Sequence, residues 1–175
     1  EQAAQCGLAQ GSAAQAQLLH TLACMMRRTS VITIGSGSLV EIVQLVDALH
    51  GTGQLTAVDS STQGIALIRK MFFALSDTTQ TTLRAVNAPV NVFLPRLNGT
   101  DYDLIVVSGD AANYLDTFAQ APRLLREHGV IVFTDMLACE GDEANGGVPN
   151  PADRSDKAVV MRQLLDMVQD DDRFE

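Results

Sequence analysis

Gly35-Ser36-Gly37-Ser38 is the first stretch in this sequence whose residue types and spacing suit a chemical task. It follows the β-branched run Val31-Ile32-Thr33-Ile34 and precedes a stripe of Leu39, Ile42, Val46 and Leu49, so it reads as a turn from strand into helix. Glycines let the backbone come close to a ligand, and the first turn of a helix offers unpaired N–H groups, so the turn suits a nucleotide-like cofactor. A tight turn with no ligand gives the same four residues. Downstream, Asp59 ends a second apolar run, where a carboxylate can accept two hydrogen bonds from ribose hydroxyls. With Ser60 and Ser61, Asp59 also suits the cap of the helix that carries Ile65, and both roles can hold at once.

The elements that must position these residues follow from hydrophobic period. Strands are expected at Ser30–Ile34, Gln54–Val58, Thr82–Val86, Tyr102–Val107 and Val130–Thr134. Several of these runs are apolar or β-branched throughout, as strands buried on both faces of a parallel sheet are. Between them lie helical stripes: Leu39 to Leu49 with a capping box of Ser38 and Glu41 and a stop at Gly51, then Ile65-Ile68-Phe72-Leu75. Tyr114-Phe118-Ala121-Leu125 makes a further stripe that Pro122 should kink or restart. A last helix is expected over Ser155–Val168, and an N-terminal one over Ala13–Met26 behind a cap at Ser12. Cys139–Asp153, rich in Gly, Asn, Asp and Pro, reads as a long loop, either a lid or a disordered segment. The alternation predicts an α/β fold, a doubly wound, mostly parallel sheet with helices on both faces. In such folds ligands bind outside the carboxyl ends of the strands.

Composition narrows the setting. The chain has 175 residues, 46% of them apolar, which suits one domain with one core. Twelve basic against 21 acidic residues give a net charge of −9, which disfavours nucleic acid as a partner. No apolar run is long enough for a bilayer, and no secretory signal pattern is present, so neither a membrane nor export is expected. Cys6, Cys24 and Cys139 have no metal or redox spacing and read as reduced thiols of a cytoplasmic protein. Asn98-Gly99-Thr100 is read as a turn and the Asp170-Asp171-Asp172 run as a solvated end. His20, His50 and His128 are neither at metal spacing nor beside a candidate nucleophile.

Two longer runs carry a resemblance: Tyr102-Asp103-Leu104-Ile105-Val106-Val107-Ser108-Gly109-Asp110-Ala111-Ala112-Asn113-Tyr114, and Leu124-Leu125-Arg126-Glu127-His128-Gly129 leading into Val130-Ile131-Val132-Phe133-Thr134-Asp135. With the glycine turn and Asp59, they resemble the class I S-adenosylmethionine-dependent O-methyltransferases of the catechol and caffeoyl-CoA type. The resemblance covers nearly the whole chain, from Gly11 to Phe174. It implies a Rossmann-like class I methyltransferase fold, a single cofactor-binding domain over 1–175, and an N-terminal helical segment over 1–29. It further implies S-adenosylmethionine as cofactor, a small-molecule hydroxyl as acceptor, and a homodimer. The cofactor-facing set is then Gly35, Ser36, Gly37, Asp59, Ser60, Ala88 and Ser108.

The pattern is broken at informative positions. Leu39 stands where such loops have Gly, and Thr33 where strand one usually holds an acidic residue. The acidic residue expected after strand three is missing from Asn87-Ala88-Pro89. Relatives hold a divalent cation with an Asp at the end of strand four and an Asp-Asn pair after strand five, and use a Lys three residues past the first Asp as base. Here those positions are Ser108, Asp135 with Met136, and Ala111, so a working cation site of that type is not expected. Asp110 and Asp135 remain as the candidate catalytic proton acceptors, and no Lys or His is expected beside them. Relatives also continue into two further strands beyond the position of Glu175. Two other readings share the same residues: a cofactor-binding protein of this fold without catalysis, and an NAD-binding oxidoreductase, although Val40 occupies the third small position of its fingerprint and no hydride-transfer residues are found.

Overall fold

β-Branched and other apolar residues fill the middle of the sheet. The computed structural model describes residues 5, 10–26, 29–139 and 143–174. In it Val31, Ile32 and Ile34 of β1 (Ser30–Ile34) and Leu104 to Val107 of β4 (Tyr102–Val107) are wholly buried. They are flanked by β2 (Gln54–Asp59), β3 (Thr82–Asn87) and β5 (Leu125–Phe133). All five strands pair in parallel, in the order β3-β2-β1-β4-β5. Continuous apolar runs therefore mark strands covered on both faces, as expected.

Successive residues on these strands divide between two cores. Val31, Leu55, Ala57, Leu104 and Val106 pack under α1 (Ala13–Met26), α2 (Leu39–Ala48) and α3 (Thr62–Leu75). Ile32, Ile34, Ile105 and Val107 pack under α4 (Val90–Phe93), α5 (Ala112–Leu124) and α6 (Asp156–Gln169). The order reverses between β1 and β4, and the crevice of a doubly wound sheet opens at such a reversal.

Several boundaries differ from the sequence pattern. Leu125 already pairs with Tyr102, then Arg126 to Gly129 break the register, with His128 at φ 59°, and regular pairing resumes at Val130. The helix before it runs past Pro122 for two residues and stops, so the proline ends the helix instead of restarting it. The capping box is not formed: the Ser38 hydroxyl donates to the Gly35 carbonyl, and Glu41 is buried against α1. Ser12 does cap α1, accepting the Gln15 N–H at 3.1 Å. The stretch that reads as a lid or disordered loop is pinned over its described part, since Asp153 accepts the Asn145, Gly147 and Ser155 N–H groups. Arg162 of α6 donates to the carbonyls of Gly147, Asn150 and Asp153. Cys24 and Cys139 are free thiols, and Cys6 lies outside the described residues. No described helix is long and apolar enough to cross a membrane.

Asp103 joins the amino-terminal ends of three strands. Its Oδ2 accepts the N–H groups of Thr29 and Ser30 at 3.1 and 3.0 Å, and Arg126 donates to both oxygens at 3.2 Å. Burial works to raise this carboxyl, but the two N–H groups and the guanidinium outweigh it and hold its pKa below the ordinary value. Replacing Asp103 by Ala removes hydrogen bonds to a charge and leaves donors without partners. We expect a loss of about 2–4 kcal/mol, read as a lowered urea midpoint with an unchanged slope. A variant as stable as the parent would show that Asp103 does not hold these ends.

Candidate active site

The two central strands come so close at their carboxyl ends that position 35 has no room for a side chain. Gly35 has φ 90°, and a β-carbon there would run into the Ser108 carbonyl. The Ser108 hydroxyl donates to the Ile34 carbonyl at 2.9 Å, and Asn113 of α5 donates to the Ser108 carbonyl at 2.9 Å. Gly35 is thus a structural part of the turn, while Ser36 and Gly37 line the space above it.

A cavity of about 700 Å³ opens above this junction. Ser36 and Gly37 line it after β1, Ser108 to Ala112 after β4, Thr134 and Asp135 after β5, and Ser155 to Lys157 at the start of α6. Gln10, Gly11, Ser12 and Gln15 close one side. The N-terminal segment is bound to the glycine turn itself: Gln10 donates to the Ser36 carbonyl and the Gly11 N–H to the Gly37 carbonyl. Of the expected residues, Ser36, Gly37, Ser108, Asp110 and Asp135 share this cavity, and Gly35 lies beneath it.

Asp59, Ser60 and Ala88 stand to the other side, after β2 and β3. Asp59 is buried; its Oδ1 accepts the Ser61 N–H at 2.6 Å, and Ser61 in turn caps α3 through the Gly64 N–H. The capping role of this cluster is therefore real. The other oxygen, Oδ2, is buried with no hydrogen-bond partner among the described residues. It lies next to Ser36, with Gly64 leaving the space a side chain would fill. The Ala88 N–H is taken by the Asp59 carbonyl, and Ser60 is exposed, its carbonyl accepting from Asn87. Thr33, mid-strand, is buried with its hydroxyl also unpartnered among the described residues.

Beyond β5 the structure holds a residue that the sequence reading lacks. Lys157 donates to the Gly109 carbonyl at 2.8 Å and to the Asp135 carboxylate, which corrects the expectation that no lysine stands beside these aspartates. Its only sequence signal is its place in the first turn of α6, far along the chain from Asp135. Asp135 sits in the left-handed region at φ 57°, a conformation that non-glycine residues adopt at an energetic cost and that is common at functional sites. Tyr114 is buried beneath, its hydroxyl donating to the Thr134 carbonyl. Burial first, and then the carboxylates Asp135 and Asp110, push its pKa up, so it stays a neutral phenol. Met136, partly buried, packs against the hydrophobic core and is not among the residues that line the cavity.

Residues 3–175 match the O-methyltransferase family. A Mycobacteroides abscessus protein named as an O-methyltransferase is 27% identical over 174 residues, spanning 99% of this chain and 78% of that protein. Among solved structures, the O-methyltransferase TomG of Streptomyces achromogenes, involved in tomaymycin synthesis and solved in complex with SAM, superposes with a TM-score of 0.76. It is 18% identical, and the match covers 95% of this chain and 74% of that one. An O-methyltransferase from Bacillus cereus in complex with SAH gives a TM-score of 0.76 at 16% identity, over 93% of this chain and 71% of that one. These two likenesses are of fold, and they agree with the parallel five-stranded sheet described above.

Glu41 lies behind Gln15, one of the residues that line the cavity. It is wholly buried, with Oε1 accepting from Gln15 Nε2 at 2.7 Å and Oε2 unpartnered among the described residues. Burial, outweighing its hydrogen bonds, raises its pKa above 4.5. A carboxyl whose folded pKa is raised favours the fold at low pH and loses that contribution as pH rises through the folded value. Glu41→Gln should therefore raise the melting temperature at pH 7 by roughly 2–4 °C, the shift that ~1 kcal/mol gives in a domain of this size. The gain should vanish by pH 4. Melting curves that differ equally at both pH values would remove Glu41 as the cause.

Proposed function

The chain belongs to the O-methyltransferase family, and on that premise we propose that it transfers a methyl group from S-adenosylmethionine to a hydroxyl oxygen of a small molecule. The observation that carries this reading is Oδ2 of Asp59, a buried carboxylate oxygen beside the glycine turn with no partner among the described residues. A buried charge without a full set of hydrogen bonds is costly, and the vicinal hydroxyls of a ribose would supply the missing donors. The residues therefore fit the nucleoside end of this cofactor, with Ser36 and Gly37 toward the cavity that its reactive end would share with the acceptor.

When bound, the cofactor supplies an electrophilic methyl group: the new oxygen–carbon bond forms as the carbon–sulfur bond breaks, with its electron pair leaving on sulfur. This chain's own residues have the remaining tasks. Gln10 and Gly11 fix the glycine turn and screen it from water. Tyr114 braces the Thr134 carbonyl and so sets the turn that carries Asp135. The proton of the acceptor hydroxyl passes to a carboxylate on the cavity wall, Asp110 or Asp135. Asp110 is the freer of the two, because Lys157 holds Asp135 and no described residue bonds the Asp110 carboxylate.

A divalent cation of the family's usual kind does not fit. Mg²⁺ requires near-octahedral oxygen ligands. The positions concerned offer Ser108, whose hydroxyl is turned to the Ile34 carbonyl, Asp135, already paired with an ammonium, and Met136, a thioether packed against the core. The NAD-dependent reading gains no support from the family match or from the cavity.

Calorimetric titration with S-adenosylhomocysteine tests the cofactor assignment. Asp59→Ala removes two hydrogen bonds to a charged group, each worth about 1.5–3 kcal/mol, so affinity should fall tenfold or more. Unchanged affinity would leave Asp59 as a helix cap alone.

A further inference from the structure

Lys157 occupies the first turn of α6, where a cation opposes the positive end of the helix dipole. Local helix energetics therefore do not account for it, and its polar contacts among the described residues are with the chain after β4 and after β5. Its ammonium donates to the Gly109 carbonyl after β4 and to Asp135 after β5, and stands 5.4 Å from the centre of the Tyr114 ring. The side chain is 21% exposed, and that exposure is toward the cavity it lines with Asp110 and Ser108. An ammonium has three N–H donors. Among the described residues two are used, which leaves the third for a ligand.

We propose that Lys157 is a catalytic residue whose ammonium binds the acceptor oxygen and stabilises it as an oxyanion, at the place where a divalent cation does not fit. The inference rests on the methyl-transfer reading and deepens it. In the step concerned, the acceptor O–H bond breaks, the proton passes to the Asp110 carboxylate, and the bonding pair stays on oxygen, facing Lys157. A preorganised cation in a partly enclosed site stabilises such a charge far better than water does, because it needs no reorganisation. The helix N-terminus beneath it adds positive potential of the same sign. One ammonium offers half the charge of Mg²⁺, so the acceptor class is a phenol, with a pKa near that of tyrosine, about 10, and not an aliphatic alcohol.

The test uses 4-nitrophenol, whose phenolate is coloured, bound to the protein saturated with S-adenosylhomocysteine. In the parent protein the bound phenol should ionise at least tenfold more readily than in water. Lys157→Arg should keep this effect and Lys157→Met should lose it. Turnover on a panel of phenols should fall at least a hundredfold in Lys157→Met, stay within tenfold in Lys157→Arg, and be unaffected by EDTA in the parent. An unchanged phenolate band and turnover in Lys157→Met overturns the proposal, as does parent turnover that EDTA abolishes. A tenfold weaker affinity for S-adenosylhomocysteine in Lys157→Met with an unchanged phenolate band also overturns it, assigning the lysine to the cofactor. If the parent does not bind S-adenosylhomocysteine, the cofactor reading fails on its own, and the nitrophenol titration without cofactor still decides whether Lys157 holds an oxyanion.

Discussion

Everything at the functional end of this molecule depends on how closely β1 and β4 approach at Gly35 and Ser108. The two strands are neighbours in the sheet but far apart in sequence, and their chains leave in opposite directions. At the point of departure the Ser108 carbonyl lies where a side chain of residue 35 would be. Only glycine allows the contact, and only a positive φ turns the chain from there into α2. The Ser108 hydroxyl and the Asn113 amide then hold the junction in place from the β4 side.

From this junction the rest of the site is arranged in two halves. On one side, Asp59 organises the turn into α3 with one oxygen and keeps the other, beside Ser36, unpaired among the described residues. On the other, β4 and β5 deliver Gly109, Asp110 and Asp135 to a common wall. The N-terminal segment and the start of α6 are distant in sequence from both halves, yet they close the cavity by bonding directly to it. Gln10 and Gly11 take up carbonyls of the glycine turn, and Lys157 spans the ends of β4 and β5.

The charges follow from the same geometry. Asp135 and Asp110 lie near a buried tyrosine, and an additional carboxylate, Glu41, is buried behind α1. A single ammonium, placed against the preference of its own helix, neutralises one of these groups. This local conflict and the left-handed backbone at Asp135 meet at the cavity wall, and the surrounding sheet supplies the stability that offsets them.

The sequence by itself determined the sheet and its order of elements, because hydrophobic period depends only on which residues neighbour each other along the chain. Runs such as Val31 to Ile34 and Leu104 to Val107 have no polar face, so they belong between two layers of helix. Gly35 and Asp59 were legible for a similar reason: both act at the turn in which they are written. Pairings across the fold were not legible. Nothing near Lys157 in sequence names Asp135 or Gly109 as its partner, and Ser38 with Glu41 matches a capping box that burial of Glu41 against Gln15 overrides. The loop before α6 has the composition of a free segment, but Asp153 and Arg162 fix it through backbone groups that composition cannot reveal. Such contacts are set by how the layers stack, and only the tertiary structure decides which side chains meet there.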